Sequence, residues 1–177
     1  MSEPPVQSAA ALLRQEFDAA FAEAPRASVD AAFEDFLGIR VAGQPYALRA
    51  LEIIRWSAHC TLLPLPASQP DFLGLAGWQG ELLPVYSLAA LLGHGREAGE
   101  GRWLAVCGRE QRLGLAIAGF DGFLRVARGA VFGLGAPERR HDHVQEALRF
   151  ADGIRHVVRV SSMIAAIGQQ LAAAASR

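Results

Sequence analysis

The sequence predicts a mainly β fold, a barrel or sandwich of short strands closed by one C-terminal helix. Apolar runs recur at intervals of roughly ten residues with turn residues between them, which is typical of such folds. The clearest hairpin signal is Asp152-Gly153, which stands between two apolar runs. After the second run, Ser161 or Ser162 can cap a helix, because a serine hydroxyl accepts a hydrogen bond from a free helical N–H.

Residues 6–24 predict a separate N-terminal helix with one apolar stripe. Pro25 ends this helix, and residues 26–35 have the composition of a linker. We therefore expect a helical extension with its linker over residues 1–32 and one domain over residues 33–177. The apolar stripe of this helix fits two roles. The helix packs on the chain's own domain, or it binds in the groove of a partner protein. The stripe consists of Leu13, Phe17, Phe21 and Ala24.

The first part of the domain predicts a hairpin followed by a short apolar segment. Residues 36–41 and 46–48 are apolar runs that flank a turn at residues 42–44. Residues 51–56 form a short apolar segment that fits either a helix or a strand. The proline-rich residues 63–70 predict a loop.

The second part of the domain predicts one helical turn, further strands and a long loop. Residues 88–92 form the helical turn, and Asp121-Gly122 predicts a tight turn between strands. Residues 127–143 show the weakest pattern and are expected to include a long loop. Strands are expected at residues 103–107, 113–118, 123–126, 144–150 and 154–160. The buried face of the last helix is expected to carry Ile164, Ile167 and Leu171.

Composition and charge limit the function classes. The chain has 177 residues, a formal net charge of −1, and no lysine among its 17 basic residues. No basic patch stands out, so we expect no nucleic-acid partner. Cys60 and Cys107 lack a CxxC spacing, which favours buried free thiols in a reducing compartment. The start of the chain lacks a secretory signal pattern and no apolar run reaches about 20 residues, so we expect a soluble, cytoplasmic protein without direct membrane insertion.

Catalytic groups do not converge in the sequence. His141 and His143 would share one face of a strand and could hold a metal, but no third ligand is nearby. His59 beside Cys60 lacks the partners of a nucleophile–base pair. We therefore expect no enzyme activity, no cofactor and no metal site, and we expect the chain to act through its surfaces.

The most informative stretch is the predicted hairpin of residues 72–88. Two apolar runs flank Gly77-Trp78-Gln79-Gly80, which can reverse the chain because glycine reaches positive φ angles. Pro84 lacks an N–H, which places that side of the second strand at an edge or a bulge. Trp78 has two interpretations: an anchor that binds a partner, or a ring that covers the end of a barrel.

This stretch resembles the central signature of CheW-like domains, the coupling adaptors of bacterial chemotaxis arrays. The family pattern is an apolar segment ending in Gly, then Asn-x-Arg-Gly, three residues, and Pro-Val-x-Asp-Leu. The chain departs from it at Gly77, Gln79 and Ser87, where the family usually has Asn, Arg and Asp. The resemblance covers about residues 33–168. The matching residues are Gly74, Gly80, Pro84, Val85 and Leu88.

The resemblance implies a fold of two packed, small five-stranded β-barrels of the SH3-like type, with short helices. It also implies a non-catalytic adaptor that couples chemoreceptors to a CheA-type histidine kinase. The implied partners are that kinase and the cytoplasmic tips of methyl-accepting chemoreceptors. The implied location is the cytoplasm, with recruitment to receptor arrays at the membrane.

The receptor-side residues follow from the resemblance position by position. The family's receptor-facing Arg falls on Gln79, and the Glu that commonly pairs with it falls on Arg55. Both members of the pair are replaced, so a charged-to-neutral hydrogen bond is possible there but an ion pair is not. We expect an altered receptor-side groove that also includes Trp78 and Gly80.

The kinase-side residues keep types that fit the family. The resemblance places Ile53 and Gly74 on this side.

Ser87 and Ser161 stand where the family has aspartates that cap the following helices, and serine caps nearly as well.

Two other functions fit the residues. One is a small-molecule or metal-binding β-barrel with His141 and His143 at its site. The other is a CheW-type regulator of pilus motility or developmental signalling, which would use the same fold. The gene neighbourhood separates this second function from flagellar chemotaxis, because such adaptors are commonly encoded beside their kinase and receptor.

Overall fold

The computed structural model describes residues 32–66, 69–135 and 142–175. In this part of the chain twelve strands dominate, with two short 3₁₀ turns and two α-helices. The helices are α1 (Leu88–Leu91) and α2 (Val160–Ala175), and the 3₁₀ turns are Ala50–Glu52 and Arg128–Ala130. The strands are β1 (Phe33–Val41), β2 (Gln44–Arg49), β3 (Ile53–Ala58), β4 (Leu62–Leu63), β5 (Phe72–Trp78), β6 (Glu81–Ser87), β7 (Trp103–Cys107), β8 (Leu113–Ile117), β9 (Gly119–Ala127), β10 (Val131–Gly133), β11 (Val144–Phe150) and β12 (Gly153–Val158).

The strands form two six-stranded sheets. The first has the order β10-β11-β12-β2-β1-β9, and the second has the order β3-β7-β8-β6-β5-β4. Each sheet has five longer strands and one short strand at an edge, β10 in the first and β4 in the second. The predicted fold class is confirmed: the chain is mainly β and folds as two SH3-like barrels.

Central strands of both sheets bury both of their faces, because alternate side chains enter different cores. Leu37 and Ile39 of β1 belong to a large core shared by the two sheets, whereas Phe36 belongs to a smaller core within the first barrel. In β7, Ala105 belongs to the shared core and Leu104 to a smaller core within the second barrel. One apolar layer therefore joins the two barrels.

One predicted turn is wrong. Asp121-Gly122 lies inside β9 and not between two strands. Gly122 pairs with Gly38, and the register then shifts between Gly38 and Ile39, which leaves Asp121 as the extra residue of a β-bulge. The φ of 139° at Gly122 explains why the bulge carries a glycine. A turn and a bulge share the same residue types, so the dipeptide alone does not separate them.

A buried arginine ties three strands of the first barrel together. Arg155 of β12 donates to Asp121 of β9 at 2.8 Å and to Asp152, and Asp121 also pairs with Arg40 of β1 at 3.0 Å. The hydrogen bond from Arg155 holds the pKa of Asp152 below its ordinary value. The hairpin predicted at Asp152-Gly153 forms between β11 and β12.

Two predicted loops contain regular structure that the sequence did not predict, and residues 51–56 take a defined form. Residues 51–56, which fit either a helix or a strand, divide between the end of a 3₁₀ turn and β3. The predicted loop at residues 63–70 begins within β4, and the predicted loop at residues 127–143 contains a 3₁₀ turn and β10. The missed elements in these two loops have three residues or fewer, which is too short for an apolar period to appear.

Helix α2 is capped by a residue that the sequence does not point to. The carboxylate of Glu52 accepts hydrogen bonds from the N–H groups of Val160 and Ser161, at 3.3 and 3.0 Å. The predicted cap at Ser161 or Ser162 is therefore wrong: the helix begins at Val160, and both serines lie in its first turn. The predicted cap at Ser87 is confirmed, because its Oγ accepts the N–H three residues later at 3.0 Å.

The buried face of α2 is shorter than predicted. Ile167 is buried and Ile164 is half-buried, but Leu171 is 49% exposed. Met163, one turn before Ile167, is fully buried and completes the contact with the shared core. Helix α2 thus packs against the barrels through its first half.

Most of the N-terminal predictions lie outside the described residues. These are the helix at residues 6–24 and the first part of the linker, so the proposed boundary between residues 32 and 33 stays a prediction. The predicted linker at residues 26–35 extends too far, because residues 33–35 belong to β1. In the part of the chain that the structure describes, no helix is both long and apolar enough to cross a membrane.

Replacing Glu52 with alanine is expected to lower the free energy of unfolding by about 1–2 kcal/mol, because two N–H groups at the start of α2 lose their acceptor. Denaturant titration followed by circular dichroism measures this change. The control is Ser161→Ala, which removes an exposed hydroxyl and should change stability by less than about 0.5 kcal/mol. Equal losses in the two variants would contradict the cap.

Candidate functional site

A groove of about 740 Å³ opens at the mouth of the second barrel. It lies where the two edge strands of that sheet, β3 and β4, approach each other without forming a ladder. Residues from the β5–β6 hairpin complete its wall. We call this site the barrel-mouth groove. Its apolar lining comes from Leu62, Leu63, Leu75, Leu82 and Leu104, and its polar lining includes Arg55, Ser57, His59, Cys60 and Gln79.

The turn of the hairpin is tighter than predicted. Strand β5 continues through Trp78, which pairs with Glu81, so only Gln79 and Gly80 form the turn. Both have positive φ angles, 50° and 83°, as a type I′ turn requires. Asparagine suits the first position of such a turn, whereas glutamine adopts positive φ at a cost. The turn forms because Gly80 and the two paired strands fix its geometry.

The side chain of Trp78 is half-buried in the second barrel. Its ring packs against the core of that barrel, and the guanidinium of Arg112 lies 5.1 Å from the ring centroid. The indole Nε1 is buried and has no hydrogen-bond partner among the described residues. Trp78 also lines the groove, so both interpretations of this residue stay open.

The structure brings Arg55 and Gln79 to the same groove. Arg55 follows a register shift in β3 and is exposed, and Gln79 is exposed at the hairpin turn. No hydrogen bond joins the two side chains in the described part of the chain. Gly80 shapes the turn without lining the groove. Three of the four predicted receptor-side residues, Arg55, Trp78 and Gln79, therefore meet at one site.

Neither of the two predicted kinase-side residues lines the barrel-mouth groove. Ile53 is half-buried at the start of β3 and packs on the shared core. Gly74 is buried in β5 with a φ of 134°, and a Cβ there would lie 2.1 Å from the carbonyl oxygen of Leu63. Gly74 thus has a structural role, since it lets the backbone of β4 approach β5 closely.

An exposed apolar patch beside Ile53 was missed by the sequence reasoning. Leu51 is 90% exposed and Ile54 is 46% exposed, and both line a cavity of about 410 Å³ that reaches Ile164 of α2. We call Leu51, Ile54 and Ile164 the Leu51 patch. The available signal was the apolar run at residues 51–56, but its periodicity does not tell which side chains are exposed.

The predicted histidine pair is only partly described. His143 precedes β11, and its Nδ1 lies 2.8 Å from the Oγ of Ser162, while His141 is outside the described residues. Within residues 32–66, 69–135 and 142–175, no three metal-ligating side chains cluster. Cys60 and Cys107 are free, and burial raises the pKa of both thiols. The metal-binding alternative gains no support from this geometry.

Gln79→Asn is expected to raise the free energy of unfolding by about 0.5–1 kcal/mol, because asparagine tolerates the positive φ of this turn better than glutamine does. Thermal and denaturant unfolding measure the gain. The same replacement at Gln169, an exposed position within α2, should lower stability by a few tenths of a kcal/mol at about the level of helix propensity. A loss of stability in Gln79→Asn would contradict the turn geometry.

Gly74→Ala is expected to lower the free energy of unfolding by about 2 kcal/mol or more, because the new methyl group collides with the Leu63 carbonyl at positive φ. Gly77→Ala in the same strand is the matched control, since open space surrounds that position. Denaturant unfolding of both variants measures the difference. Similar stabilities would show that β4 does not approach β5 as described.

Comparison with known proteins agrees with this architecture. The sequence profile of the CheW-like domain matches residues 35–167. No curated protein matches the chain. Among solved structures, the scaffolding protein TtCheW from Thermoanaerobacter tengcongensis has a TM-score of 0.63 and 13% sequence identity, over 71% of this chain and 88% of that chain.

At this identity, the structural likeness shows a common fold and nothing further. The profile match rests on the sequence itself and spans most of the chain, from within β1 to the middle of α2. The chain belongs to the CheW-like domain family.

Proposed function

We propose that this chain is a non-catalytic adaptor of chemotaxis-type signalling that couples chemoreceptor tips to a CheA-type histidine kinase. The observation that carries the proposal is the family match over residues 35–167. The similar structure of TtCheW is described as a scaffolding protein, in keeping with a scaffold role. Such a role requires surfaces for at least two partners, and the described residues offer two candidates.

The barrel-mouth groove is the proposed receptor side. Its leucines give it an apolar lining, and Arg55 and Gln79 add polar groups, a composition that suits a protein segment. The resemblance assigns receptor contacts to these same positions. Because both differ from the usual pair, we propose that the groove accepts a receptor tip or array partner with altered contacts.

The Leu51 patch is the proposed kinase side. Leu51 exposes most of its side chain to solvent, and it stands beside Ile53, which the resemblance assigns to this side. An exposed aliphatic side chain such as Leu51 gains free energy when a partner removes it from water. Gly74 contributes indirectly, through the packing of β4 on β5.

No catalytic step is part of the proposal. Cys60 and Cys107 have raised pKa values, which keep the thiols in their protonated, weakly nucleophilic form. The adaptor would work in the cytoplasm and reach receptor arrays through its protein contacts. A CheW-type regulator of pilus motility or developmental signalling remains the second candidate, which the gene neighbourhood tests.

Leu51→Asp is expected to weaken binding to the cognate histidine kinase about tenfold or more, because a charge replaces an apolar contact at the proposed interface. Isothermal titration of the full-length chain with the kinase, and separately with a chemoreceptor cytoplasmic fragment, measures both interactions. Ile154→Asp is the matched control, since Ile154 is 52% exposed on β12 of the first barrel and outside the proposed sites.

The outcomes separate the parts of the proposal. Loss of kinase binding in Leu51→Asp with receptor binding kept supports two distinct surfaces. Equal kinase binding by the wild type, Leu51→Asp and Ile154→Asp would remove the Leu51 patch from the proposal. Binding of the wild type to neither kinase nor receptor would overturn the adaptor function.

A further inference from the structure

The barrel-mouth groove combines an aliphatic floor with one cationic side chain. Among the described residues that line it, Arg55 is the single arginine, and no aspartate or glutamate accompanies it. The nearest acidic residue of the hairpin, Glu81, forms an ion pair with Arg112 at 3.2 Å and lies outside the groove. The groove therefore carries the positive charge of Arg55 without a carboxylate beside it, among leucines and uncharged polar groups such as Ser57 and Gln79.

Arg55 also lacks an ionic partner elsewhere in the described part of the chain, unlike several other arginines. Arg49, for example, pairs with Glu34 and Glu146. Arg155 pairs with two aspartates. The guanidinium of Arg55 is solvated in the free protein, and any ligand that fills the groove will remove part of that water.

Removing water from an unpaired cation is unfavourable unless the ligand supplies an anion. A purely apolar segment would match the leucines but leave the guanidinium desolvated. A segment with a basic side chain at this point would add repulsion between like charges. An acidic side chain satisfies both requirements, and a carboxylate can accept two parallel hydrogen bonds from one guanidinium.

We infer that the barrel-mouth groove selects a protein segment whose aliphatic face is flanked by an aspartate or glutamate that pairs with Arg55. Gln79, on the same rim, can donate an amide hydrogen bond to the same carboxylate or its neighbour. This inference rests on the proposed function, because it takes a receptor tip as the bound segment. The proposed function leaves the charge of the bound segment open, and the pairing with Arg55 requires that this charge is negative.

The test measures binding of the full-length chain to the cytoplasmic tip fragment of a methyl-accepting chemoreceptor from the same genome. Arg55→Glu should weaken binding about tenfold or more, and Arg55→Gln by a smaller factor. Raising NaCl from about 50 to about 500 mM should weaken the wild type more than Arg55→Gln, because the ion pair is screened. Arg128→Glu, at an exposed arginine of the first barrel, is the control and should bind as the wild type does.

A charge-reversal experiment identifies the partner residue. Each acidic residue of the tip is replaced in turn by lysine, and one such replacement should restore binding to Arg55→Glu while weakening binding to the wild type. If Arg55→Glu binds the tip as tightly as the wild type, or if no lysine replacement restores its binding, the inference is wrong although the adaptor function stands. If the wild type does not bind the tip, the proposed receptor coupling fails and the inference fails with it.

Discussion

The shared apolar core between the two sheets is the constraint on which the rest of the structure depends. Strands β1 and β7 send alternate side chains into this core and into the smaller core of their own barrel. A polar residue at either set of positions would be buried without a partner, so few substitutions are tolerated in these strands. The first half of α2 closes the same layer through Met163 and Ile167. The proposed interaction surfaces lie outside this layer, at turns and strand edges.

Glu52 shows how the parts of the chain are held together across long distances in the sequence. It lies in the 3₁₀ turn between β2 and β3 and caps a helix that begins more than a hundred residues later. The neighbouring Leu51 is exposed on the same turn. A contact that moves this turn would therefore act directly on the start of α2. The two hydrogen bonds that Glu52 accepts therefore connect the proposed kinase side to the C-terminal helix.

Much of the fold could be predicted because it depends on local patterns. The apolar runs and hairpin turns locate most of the longer strands, and Ser87 caps α1 as expected. Apart from elements too short to show a period, such as β4 and β10, two of the failures occurred where distant residues decide the outcome. The dipeptide Asp121-Gly122 has the composition of a turn, but its pairing with β1 makes it a bulge. Ser161 is of a residue type that caps helices, but the carboxylate of Glu52, from a distant part of the chain, accepts the hydrogen bonds at the start of α2.

The candidate site was predictable in position but not in form. The signature hairpin and its family resemblance pointed to Arg55, Trp78 and Gln79, and these line one groove. That Trp78 packs inward beneath Arg112, and that Leu51 stands exposed, depends on tertiary packing that no periodicity encodes. Local sequence therefore locates the site, while the packing around it determines which atoms a partner meets.

The close approach of β4 to Gly74 has a consequence for self-association. Strand β4 is the outer edge of its sheet, and the chain continues from it as Pro64-Leu65-Pro66. Two prolines within three residues remove the N–H donors that a neighbouring molecule would need to extend the sheet. Leucines at 63 and 65 are exposed there, and an open edge carrying them would invite aggregation. By letting this proline-blocked segment lie against β5, Gly74 leaves this edge of the sheet with few N–H donors for a strand from a neighbouring molecule.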